Sequence, residues 1–167
     1  MKAILIDAVK REIREVEYRI QSAEGELPTV GDYIGGWIEA AFRFPSGDVM
    51  FVDEEGLLKP TMHFFFCAFR TDQPMAGNGV VVGEEVEDED VPGGYYTVDP
   101  VVTVEWLRRN IIWMDRAEFD AWGNSRASEA AGTITFFRDG KPVTEVLHTY
   151  GQLLSGMPRK EEENKDG

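Results

Sequence analysis

A chain of 167 residues with 43% hydrophobic side chains has enough apolar material for one packed domain and too much for a disordered one. Its formal net charge of −14 argues against direct contact with nucleic acid, which calls for a basic patch, and its single cysteine excludes an internal disulfide. The acid is concentrated in the middle: residues 45–105 hold 13 Asp or Glu against 2 Lys or Arg, a surface that would repel phosphate and attract a basic partner.

The opening "KAILID" (2–7) reads as a buried strand. In "VKREIREVEYRI" (9–20), Val9, Ile13, Val16 and Ile20 fit helical spacing while Glu12–Ile20 partly alternates, so helix and strand both stay open. "GELPTVGDYIGG" (25–36) carries turn residues around a helix of about two turns, ended by Gly35–Gly36. "WIEAAFRF" and "DVMFVD" flank the turn "PSGD", a hairpin signal. The aromatic "TMHFFFCAFR" (61–70) and the glycine-bounded "NGVVVG" (78–83) predict two further strands.

Residues 84–94 lack apolar periodicity and end in Pro-Gly-Gly, which predicts an exposed loop. Residues 99–124 begin extended and then give one or two helices, with Trp106, Leu107, Ile111 and Met114 on one face. Asn124 to Gly132 reads as a small polar linker. "GTITFFRDGKPVTEVLHTYG" (132–151) is a hairpin about the turn pair Asp139–Gly140. The expected whole is an α+β fold, a mainly antiparallel sheet with a few short helices. It occupies a single domain over 1–158, followed by a disordered tail at 159–167. The apolar run before Asp7 is too short for a signal peptide, and no stretch approaches the ~20 residues of a membrane span. The expectation is a cytoplasmic protein with no membrane contact.

Several residues invite a chemical reading beside a plainer one. His63, Cys67 and His148 are the only imidazole and thiol groups; His63 and Cys67 would share one side of a strand, where ordinary packing competes with zinc ligation. "GNGVVVG" (77–83) resembles a phosphate loop, but the valines favour a strand and the acids beyond oppose a phosphate. Asp53, Glu54 and Glu55 could hold Mg²⁺ or act as acid and base; the alternative is a turn capped by Gly56. Glu39 interrupts an apolar strand and needs a partner such as Arg43 or Arg70 if it is buried. The run Glu84, Glu85, Glu87, Asp88, Glu89 and Asp90 lacks the central glycine of a calcium loop and reads equally as a solvated loop. No catalytic motif, metal set or cofactor is expected.

The segments "GDYIGGWIEAAF", "VMFVDEEGLL" and "MAGNGVVVGEE", in that order, resemble the domain-of-unknown-function family 3846 over about residues 2–112. Its Gly-Gly-x-Ile-Glu and Asp-Glu-x-Gly motifs fall on Gly35, Gly36, Ile38 and Glu39, and on Asp53, Glu54, Glu55 and Gly56. The resemblance implies a small protein of bacteriophages, plasmids and their hosts and assigns no activity. The long acidic run and a helix-plus-hairpin extension over 113–158 read as departures from the family pattern. Together these features lead to the expectation of a non-enzymatic binding protein of a phage or mobile element. It would inhibit a host nucleic-acid-directed defence system by presenting a nucleic-acid-mimicking surface, Glu84–Asp90, to a basic protein. A small-ligand-binding module and a carboxylate-based metal enzyme are the alternatives.

Overall fold

The computed structural model describes residues 1–20, 24–69, 73–88, 90 and 94–126, and the backbone of two further strands at 133–138 and 141–146. Its centre is a five-stranded antiparallel sheet built from β1 (Lys2–Asp7), β2 (Glu12–Glu17), β3 (Ile38–Arg43), β4 (Val49–Asp53) and β7 (Gly79–Val82), in the order β2-β1-β7-β4-β3. The segment left open between helix and strand is β2, paired with β1 so that Ile6 faces Ile13 and Ala3 faces Val16. Tertiary pairing decides there, because Ile13 and Val16, on opposite faces of the strand, join the two clusters that flank the sheet.

A second sheet, β10-β5-β6, comprises β5 (His63–Cys67), β6 (Met75–Ala76) and β10 (Ile111–Asp115). Strand alternation gives β5 two buried faces. Phe65 and Cys67 join Ile4, Ile6, Met50 and Val81 of the first sheet, while Phe64 and Phe66 join Ile112 and Met114 beneath a helix, α3 (Arg116–Arg126). Phe119 of α3 stacks on Phe64 with centroids 4.3 Å apart and planes 11° apart. The layers therefore run from a short helix α1 (Val30–Ile34), through the five-stranded and three-stranded sheets, to α3. The helix α2 (Val104–Asn110) inserts Leu107 at the end of the inter-sheet core. Gly79 makes the close approach of the sheets feasible: a Cβ there would lie 2.8 Å from the Phe65 ring.

Three expectations are corrected. Residues 84–94 do not form a loop throughout: β8 (Glu85–Asp88) pairs antiparallel with β9 (Gly94–Thr97). The pairing rests on backbone bonds, so apolar periodicity gives no sign of it. Ile111 and Met114 lie in β10 and not on a helix face. The chain leaves α2 at Asn110, whose carbonyl accepts from Ala68 N–H at 2.8 Å, and the β-branched, aromatic "IIW" pairs with β5. Finally, α3 runs through the start of the expected linker as far as Arg126. It is initiated by a reciprocal pair in which Glu118 N–H donates to Asp115 Oδ1 and Asp115 N–H to Glu118 Oε2, both at 2.8 Å.

The C-terminal hairpin is present as β11 (Thr133–Arg138) and β12 (Lys141–Val146), in register from Thr133↔Val146 to Arg138↔Lys141. The turn pair Asp139–Gly140, His148 and the tail 159–167 lie outside the described residues. No helix among the described residues is long and apolar enough to cross a membrane.

Candidate functional site

The residues of the two sequence motifs meet at one corner of the first sheet. Thr29 starts α1 by a capping box: its Oγ1 accepts from Asp32 N–H at 3.2 Å, and Asp32 Oδ2 accepts from Thr29 N–H at 2.8 Å. The Thr29 hydroxyl also donates to Asp32 Oδ2 at 2.8 Å, and the bonds that this carboxyl accepts, from the Thr29 backbone first and its hydroxyl second, hold it below the ordinary aspartate range. Gly35 ends the helix in the left-handed region at φ 79°. At Gly36 a Cβ would lie 2.5 Å from Asp53 Oδ1, so only glycine lets that carboxylate sit where it does. The Asp53 side chain is 8% exposed, bridges to Lys59 Nζ and accepts from Glu55 N–H at 3.1 Å. Gly56 is similarly closed in, with a Cβ there 2.9 Å from the Ala76 carbonyl oxygen.

Of the expected acid group, Asp53 is therefore committed to Lys59 and an amide, whereas Glu39, Glu54 and Glu55 are exposed. Glu39, Asp53 and Glu54 do come together around a crevice of about 110 Å³ beside Leu57. Among the described residues, no three His, Cys, Asp or Glu gather in a metal-holding group. His63 and Cys67 occupy the two ends of β5, with Cys67 buried in the core.

The acidic run is divided by its strand pairing. Glu84 is half-buried, its side chain against Gly47, and its carbonyl accepts from Val98 N–H at 3.0 Å. In β8, Glu85 and Glu87 are exposed and pair with Thr97 and Tyr95, so the four share one face. Val86 and Asp88, opposite Tyr96 and Gly94, form the other. Asp90 is exposed beyond the strand, and Glu89 lies outside the described residues. Tyr95 and Tyr96 are 63% and 53% exposed. Neither tyrosine was singled out from the sequence; their place in a glycine-entered strand opposite the acids was the available signal.

A cavity of about 440 Å³ opens on the face of the first sheet that α1 only partly covers. Its apolar lining is Val30 of α1 with Ile38, Val49, Phe51 and Val82 of the sheet; Arg19, Arg43 and Glu85 contribute charge, and Thr29 and Thr97 hydroxyls. Tyr18 forms part of its wall. Burial raises the Tyr18 phenol above its ordinary 10.0 and nearby Asp99 and Glu85 add to this, against an opposing hydrogen bond with Thr97. The aromatic strand, by contrast, lines no part of this space: Phe64, Phe65 and Phe66 are packed core.

No curated protein and no solved structure matches the chain. A family profile described as "Domain of unknown function (DUF3846)" matches residues 1–94, a shorter span than the sequence motifs suggested. The match takes in the motif corner and the acidic strand β8, and it ends at the first residue of β9. The chain belongs to this family, whose residues 1–94 hold the whole five-stranded sheet and the acidic half of the hairpin.

Proposed function

We propose that the protein is a non-enzymatic binding module of a phage or mobile element, acting in the host cytoplasm through the β8–β9 hairpin. The partner is a basic protein surface that ordinarily holds nucleic acid, and its occupation inhibits a host defence complex. The phage or plasmid setting is part of the proposal, taken from what the family resemblance implies. The observation that carries the binding mode is the pairing of Glu85 and Glu87 with Tyr95 on one exposed hairpin face, with Tyr96 exposed on the other.

Acid alone would make a poor interface. Exposed ion pairs contribute about 0–1 kcal/mol each, so carboxylates mainly steer encounter. Tyrosine supplies the complement: a large rigid area with a polar tip, enriched at the energetic centres of interfaces. Same-face positions on a strand recur about every 6.7 Å, twice the ~3.4 Å axial spacing of phosphates on one DNA strand. One strand therefore cannot match a phosphate row: Glu85 and Glu87 supply two carboxylates on one face, and Asp88 on the other face and Asp90 beyond the strand add charge around them.

The test is affinity capture from a bacterial lysate followed by binding kinetics with the captured protein. Replacing Glu85, Glu87, Asp88 and Asp90 by Gln or Asn is expected to slow association and flatten its dependence on salt. Tyr95→Ala with Tyr96→Ala is expected to speed dissociation with little change in association. A partner whose kinetics ignore both sets of changes would remove the hairpin from the interface.

A further inference from the structure

We infer that the cavity beside α1 is a binding site for a small amphipathic organic anion, with an apolar body on the sheet and a carboxylate or phosphate head at Arg43. The site shares Glu85 and Thr97 with one face of the β8–β9 hairpin, and the inference does not depend on the protein-binding reading.

The inference starts from an uncovered surface. The helix α1 has five residues, too few to roof a five-stranded sheet. Its apolar side chains share one cluster with Leu5, Val80, Val49 and Val82, and Val49, Val82 and the half-buried Phe51 also line the open space beside it. Apolar floors with a few polar groups at the rim, at about 300–1,000 Å³, are the usual form of small-molecule sites, and about 440 Å³ falls in that range.

Charge selects the ligand class. In a chain of net −14, this cavity is lined by two guanidinium groups and one carboxylate, Arg19, Arg43 and Glu85. Arg19 donates from Nε to the Leu27 carbonyl at 2.8 Å, which fixes it at the end of β2. Arg43 stands on the edge strand β3, in register with Val49 and through it with Val82. The row Arg43, Val49, Val82 therefore sets a cationic group at the end of an apolar strip. Arg43 donates to the Gly47 carbonyl at 3.2 Å and, among the described residues, has no carboxylate partner. Most of its five N–H donors remain for a planar or tetrahedral anion.

Four isosteric probes test this: 2-naphthoate, 2-naphthyl phosphate, 2-naphthalenemethanol and 2-naphthylmethylammonium, titrated against methyl-labelled protein and followed by NMR. The anions are expected to saturate and to shift the methyls of Val30, Ile38, Val49 and Val82, while Ile4, Ile6 and Val81 on the opposite face stay still. Comparing carboxylate with phosphate identifies the preferred head. The better anion should bind about tenfold tighter than the alcohol, and Arg43→Gln should remove that advantage, the scale of a charge-assisted hydrogen bond. Arg14→Gln, on edge strand β2 beside Glu12, should leave it intact. Tighter binding of the ammonium probe, equal binding by Arg43→Gln, failure of every probe to saturate, or the same shifts with inorganic phosphate alone would each overturn the assignment.

Discussion

Two hairpins of this molecule carry similar acids and put them to opposite uses. In the β3–β4 hairpin and its flank, Asp48 is fully buried, its Oδ2 accepting from the amides of Val101 at 2.9 Å and Val102 at 2.7 Å. Asp53 is nearly as enclosed, against Gly36 and Lys59. In the β8–β9 hairpin, Glu85 and Glu87 are exposed with no fixed partner among the described residues. The first pair of carboxylates holds the fold together by satisfying amides and an ammonium; the second leaves its charge to the solvent and to whatever docks there. Carboxylate count therefore says little about function until the number of donors around each group is known.

The comparison breaks most visibly at Asp48. Asp48→Ala strands one buried and one partly buried amide, and a loss of about 3 kcal/mol is expected in urea unfolding; a loss under about 1 kcal/mol would show that the loop at 101–102 finds other acceptors. Next is Gly36→Ala, expected to cost about 2 kcal/mol by driving Asp53 from Lys59. Asp53→Ser in the same chain should recover part of that loss, and a strictly additive double variant would refute the steric account. The hairpin acids lie at the other extreme. Glu85→Gln with Glu87→Gln should move stability by no more than about 0.5 kcal/mol, and a larger fall would mean that their charge is structural after all.

The smallest effect concerns Asp32. Its folded carboxyl titrates below the ordinary 3.8. The capping bonds therefore contribute fully above that value and are lost as pH falls through the folded value. Asp32→Asn should lower stability slightly and evenly above the ordinary 3.8 and make the acid side of the profile slightly less steep, leaving its slope above neutrality unchanged. A change confined to alkaline pH would point instead to Tyr18, whose raised phenol favours the fold below about pH 10 and less above it.

Much of the scaffold was legible from local pattern. Apolar runs bounded by turn residues mark β1, β4, β5 and β7, and the helix ended by Gly35–Gly36 is α1, about half a turn shorter than expected. The α+β class, mainly antiparallel, follows from these pieces. What escaped depends on distance in the chain. β10 mimics a helix face because Ile111 and Met114 happen to lie three apart, and only the arrival of β5 decides the matter. The acids of β8 hide a strand because alternation of charge with Val86 looks the same in a solvated loop. Asp48 reads as a turn residue, since nothing near it announces the amides 53 and 54 positions away. The cavity draws its residues from both ends of the sheet order, so Arg19 and Arg43 meet one space through a topology that spacing does not encode.

The doubly covered strand β5 has a consequence for the newborn chain. Phe64 and Phe66 are shielded by Ile112, Met114 and Phe119, all of which follow in sequence, and Ile111 stands 44 residues beyond its partner Cys67. At a synthesis rate of about 5–20 residues per second, that separation amounts to roughly 2–9 s. For that interval the Phe64–Phe66 face of β5 lacks its cover, and the Phe65–Cys67 face waits in turn for β7, the central strand of the first sheet, at 79–82. The emerging protein is therefore at its most adhesive midway through its own translation, and a chaperone that recognises aromatic segments has its opening there, before α3 closes it.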